Sequence, residues 1–101
     1  MLYPIKFDPI IKEKVWGGKK LRDLLNKNTE SGKAGESWEI SGVKGNLSVV
    51  SNGIYAGKTI VEVTEILKDN LLGKKVYNSF GLSFPLLIKF IDADDDLSVQ
   101  V

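Results

Sequence analysis

Apolar and polar positions change period several times along this chain, and each change marks an element. Residues 3 to 15, YPIKFDPIIKEKV, alternate loosely between apolar and charged, with Pro4 and Pro9 as breaks. This predicts short edge strands, since proline cannot donate to a central ladder. Trp16-Gly17-Gly18 reads as a turn. Lys19 to Asn26 carries Leu21, Leu24 and Leu25 at helical spacing, a helix of two turns, and a polar loop follows to Gly35. From there GESWEISG alternates strictly: Glu36, Trp38 and Ile40 fall on one face of a strand, Ser37, Glu39 and Ser41 on the other. A Gly45-Asn46 turn leads to a strand at Leu47 to Ser51. Thr59, with Glu62 three residues later, forms a capping box ahead of a helix whose inner face is Ile60, Val63, Ile66 and Leu67, with Gly73 as its stop. Residues 74 to 82 read as irregular. Strands at 85–92 and 97–101 flank an acidic turn. Mostly strands with two short helices, the pattern predicts a mainly β, α+β fold or an incomplete β sandwich in a single domain, residues 1–101.

Composition narrows the function classes. The 101 residues are 43% hydrophobic and 27% charged, with 14 Lys and Arg against 13 Asp and Glu. A net charge of +1 gives no long-range field for nucleic acid or an anionic membrane surface. No apolar run is long enough to span a bilayer, the N-terminus lacks a signal-peptide core, and the expected compartment is the cytoplasm. The chain contains neither cysteine nor histidine. That removes disulfides, the thiol nucleophile, the usual general base near neutral pH and the commonest metal ligand.

Several motifs resolve into ordinary structure. Asp92-Ala93-Asp94-Asp95-Asp96 begins like a calcium loop, but Leu97 stands where such a loop needs glycine, so it reads as a turn between strands. Gly57-Lys58-Thr59 resembles the end of a phosphate-binding loop, yet Asn52 occupies the position of its first glycine. Asn46-Leu47-Ser48 is a glycosylation sequon with no secretion signal beside it. In the C-terminal stretch, Leu87, Lys89 and Ile91 share a strand face, and Ser98 shares one with Gln100. A lysine flanked by apolar neighbours carries a desolvation penalty unless it meets an anion or lies at a rim.

FPLLIKFIDADDDLSVQV resembles the segment of type I phosphomannose isomerases that leads into their zinc site. YPIKFDPIIKEKVWGGKKL, GESWEIS and NGIYAGKT agree with the same family in order and spacing. The resemblance implies a cupin-type β-jelly roll, here partial, and a parent enzyme that interconverts mannose 6-phosphate and fructose 6-phosphate with zinc as cofactor. It implies that Gln100 is a metal ligand, that Lys89 is a catalytic and substrate-contacting lysine, and that Ser98, Trp38 and Glu36 line the sugar-phosphate pocket. The family's Gln-x-His-Pro motif would continue past Val101. The chain is therefore expected to be an N-terminal portion, inactive alone, without bound zinc, and prone to self-association through exposed strand edges. The alternative expectation is a non-catalytic sugar-phosphate-binding or structural β domain.

Overall fold

A computed structural model describes residues 2–95. In chain order the elements are β1 (Phe7–Asp8), β2 (Ile10–Gly18), α1 (Lys20–Leu25), β3 (Ala34–Ser41), β4 (Val49–Val50), a 3-10 turn (Gly53–Tyr55), α2 (Ile60–Leu67), α3 (Asp69–Leu72), α4 (Lys74–Phe80) and β5 (Leu87–Ile91). They belong to two compact units, which among the described residues are 2–8 with 40–87 and 9–39 with 88–95.

In the first unit β1 pairs antiparallel with β4, Phe7 opposite Val50 and Asp8 opposite Val49. Val50, Tyr55, Val63 and Leu67 form its buried core, with Tyr3, Ile5, Phe7 and Leu71 packed against it. The Tyr3 and Tyr55 rings stack at 5.7 Å. Gly53 has a positive φ of 71°, and a Cβ there would lie 2.5 Å from the Tyr3 ring, so glycine is required twice over. The Thr59 capping box forms: Thr59 Oγ1 accepts from Glu62 N at 3.2 Å, and Glu62 Oε1 accepts from Thr59 N at 3.0 Å.

The helix expected to run on to Gly73 instead breaks at Lys68, whose φ of 50° and ψ of −123° end α2 and set the direction of α3. Residues 74 to 82, read as irregular, contain α4, so there are four α-helices among the described residues where two were expected. The apolar face of α2 consists of Ile60, Val63 and Leu67, while Ile66 is half exposed.

In the second unit the sheet order is β2-β3-β5. β2 runs antiparallel to β3, pairing Ile10 with Trp38, Ile11 with Ser37 and Lys12 with Glu36, before irregularities shift the register so that Glu13 and Gly18 both face Ala34. Trp16-Gly17-Gly18, read as a turn, is the end of strand β2. The glycine there serves close approach rather than reversal: a Cβ on Gly17 would meet the backbone of Lys33 to Gly35 at 2.6–2.7 Å. In α1 Leu21 is buried, while Leu24 and Leu25 are exposed.

Short helices and antiparallel sheets thus make the mainly β architecture that the alternating segments predicted. The strand expected at 97–101 lies outside the described residues.

Candidate functional site

The alternation of β3 puts Glu36 and Trp38 on one face, and the flanking strands complete the cluster. Glu36 is 5% exposed, a carboxylate that must be satisfied within the protein. Its Oε1 accepts the Trp38 indole N–H at 2.7 Å and the Lys89 ammonium at 3.0 Å. Lys89 comes from the centre of β5, and its anion is the one its apolar surroundings demanded. Lys12, the cross-strand partner of Glu36 on β2, holds its Nζ 4.8 Å from the Trp38 ring centroid. The Lys89 Nζ lies 5.7 Å from the same centroid. Burial pushes the Glu36 carboxyl up, but the Trp38 N–H and the Lys89 ammonium, with Lys14 adding to them, outweigh it and hold the group below the ordinary carboxylate range. An acid held ionised in this way is a poor proton acceptor near neutrality and a good anchor for a cation.

The opposite face of β3 carries a second polar network. Glu39 accepts from Lys27 Nζ at 2.9 Å and from the Ser37 hydroxyl. The acidic stretch after β5 is built as a turn and a cap: Asp92, 7% exposed, accepts the Lys20 N–H at the start of α1 at 2.9 Å, while Asp94 and Asp95 donate their N–H groups to the Trp16 carbonyl. Glu13 on β2 gathers the following loop. It accepts from Thr29 Oγ1, Ser31 N and Ser31 Oγ, and the Ser31 hydroxyl foremost lowers its carboxyl to about 2.

Of the residues expected at the site, Glu36, Trp38 and Lys89 are brought together. Ser98 and Gln100 lie outside the described residues. Lys12 was not singled out from sequence. Its signal was its place on β2, in a register that only the sheet reveals. The chain has neither histidine nor cysteine, the commonest ligands of a tetrahedral zinc site. Among the described residues no group of three or more acidic side chains converges on a point.

The cluster is thus an ion pair joined to an indole that has two ammonium groups near its ring. Residues 5–101 match the family "Phosphomannose isomerase type I, catalytic domain", and the chain belongs to it.

Among individual relatives, the chain is 41% identical over 102 aligned positions to a protein of Bacillus subtilis (strain 168) described as probable mannose-6-phosphate isomerase GmuF, covering 100% of this chain and 30% of that protein. It is 42% identical over 98 positions to mannose-6-phosphate isomerase ManA of the same organism, covering 97% of this chain and 29% of the relative. The crystal structure of the mannose 6-phosphate isomerase from Bacillus subtilis superposes with a TM-score of 0.77 at 39% identity, over 91% of this chain and 28% of that one. The chain thus spans about 30% of the length of the relatives it matches.

Proposed function

We propose that this chain supplies one wall of the sugar-phosphate pocket of a zinc-dependent isomerase interconverting mannose 6-phosphate and fructose 6-phosphate in the cytoplasm, and that alone it binds no zinc and turns over no substrate. The observation that carries this is the Glu36–Lys89 pair: a buried Glu36, 5% exposed, holds the ammonium of Lys89, whose side chain is 24% exposed, so that the lysine is fixed in place without being fully buried. In this reading Lys89 meets an oxygen of the anionic sugar, Trp38 and Glu36 fix its position, Ser98 offers a hydroxyl to the phosphate, and Gln100 is the metal ligand within this chain. Zinc, when bound in the complete enzyme, polarises sugar oxygens. The residues of this chain do not suffice to hold it.

The test is a chimera in which these 101 residues replace the matching stretch of Bacillus subtilis ManA. Isomerase activity within about tenfold of the parent is expected, with Lys89→Met lowering kcat/KM by about a hundredfold, the scale of losing a charge-assisted contact. A folded, inactive chimera would refute the catalytic reading. If the 101-residue chain alone then still bound mannose 6-phosphate, the alternative of a non-catalytic binding domain would stand in its place.

A further inference from the structure

Lys12 lies on β2 directly opposite Glu36, and its ammonium lies over the ring of Trp38, 4.8 Å from its centroid. Trp38 in turn gives its N–H to Glu36 Oε1, the same atom that takes the Lys89 ammonium. Both ammonium groups lie within 5.7 Å of one indole centroid. The indole is therefore the common element: its face receives the cations and its edge fixes the carboxylate oxygen that anchors one of them.

A cation over an indole is attracted by the negative face of the ring, and the attraction depends on the ring's orientation. Turning the ring to leave Lys12 would also turn the N–H away from Oε1. That oxygen would then hold Lys89 alone, and the pair could rotate together. Trp38 is half-buried, so part of the residue faces solvent rather than packed neighbours.

We propose that Lys12 is a positioning residue: by holding the Trp38 indole in the orientation that donates to Glu36, it sets where Glu36 places the Lys89 ammonium. For its kinetic consequence this rests on the isomerase reading above; for its structural content it does not. Lys12 acts through its charge, since a neutral chain of equal length would cover the ring without orienting it.

Two indole N–H groups, of Trp16 and Trp38, can be followed in the 15N-labelled chain, Trp16 serving as the control for overall folding. Lys12→Met should speed hydrogen exchange at the Trp38 indole about threefold, the size of an exposed cation–π contact, and leave Trp16 unchanged. Lys12→Arg should restore the wild-type rate at Trp38. In the chimera, Lys12→Met should raise KM for mannose 6-phosphate more than it lowers kcat, with Lys12→Arg again restoring it. An unchanged Trp38 rate in the Met variant overturns the proposal, as does equal acceleration of both indoles, which would mean general loosening, or failure of arginine to rescue. An inactive wild-type chimera would refute the isomerase reading alone, and the exchange rates would still decide the role of Lys12.

Discussion

Glu36 is the residue on which the site turns. It is buried, it is ionised, and two donors share one of its oxygens. Removing its charge while keeping its shape, as in Glu36→Gln, leaves Lys89 beside a neutral amide in a partly apolar setting. We expect a loss of about 2 kcal/mol in urea unfolding, below the roughly 3–5 kcal/mol of breaking a fully buried pair because Lys89 keeps some water. The folded carboxyl is depressed, so its contribution is present above the unfolded value and fades as pH falls through the folded one; Glu36→Gln should remove that part of the acid sensitivity.

Glu13 behaves alike at the surface. Its folded value of about 2 lies below the ordinary 4.5, so its hold on Thr29 and Ser31 is complete above pH 4.5 and is released as pH falls toward 2. The protection factor of the Ser31 amide, its exchange rate corrected for the intrinsic pH dependence, should fall across that window in the wild type and be low and flat in Glu13→Gln. A flat wild-type profile would contradict the latch.

At the scale of elements, the sequence was most legible where local chemistry decides the outcome. Thr59 and Glu62 announced a helix start that the structure reproduces hydrogen bond by hydrogen bond. Thr59→Ala should lower stability by about 1 kcal/mol. Strict alternation in GESWEIS placed Glu36 and Trp38 together on β3.

Legibility failed where long-range contacts decide. Nothing local in IVEVTEILKDNLLG marks Lys68 as the break, because lysine is a poor choice for a positive φ. The strain is tolerated there because α2 buries Leu67 on one side of the break and Leu71 packs against the same core on the other. Lys68→Gly should therefore stabilise the chain by about 1 kcal/mol, read as a higher melting temperature. Trp16-Gly17-Gly18 has the letters of a turn, but Gly17 admits the backbone of residues 33–35 and Gly18 the side chain of Asp92 at close range, a reason no single segment can display. Lys12 was invisible for a similar cause: its partner is set by the register of β2 on β3.

At the scale of the molecule, β5 leaves its apolar side chains uncovered on both faces among the described residues. Leu87, Ile88, Phe90 and Ile91 are 37–54% exposed. The single charge in that strand, Lys89, is already committed to Glu36 rather than guarding the edge. We expect the isolated chain to self-associate with rising concentration in light scattering, and Ile88→Lys with Phe90→Lys to reduce this at least severalfold by adding edge charges. A wild-type chain monomeric at every concentration would contradict that expectation.

In the proposed pocket Glu36 and Lys89 act as one unit on the sugar phosphate. The most direct measurement is a double-mutant cycle on kcat/KM for mannose 6-phosphate in the ManA chimera, using Glu36→Gln, Lys89→Met and both together. Each single change should cost about a hundredfold and the pair little more than either alone, because each leaves the other without its function. Losses that simply multiply, or single variants with undiminished turnover, would contradict the account.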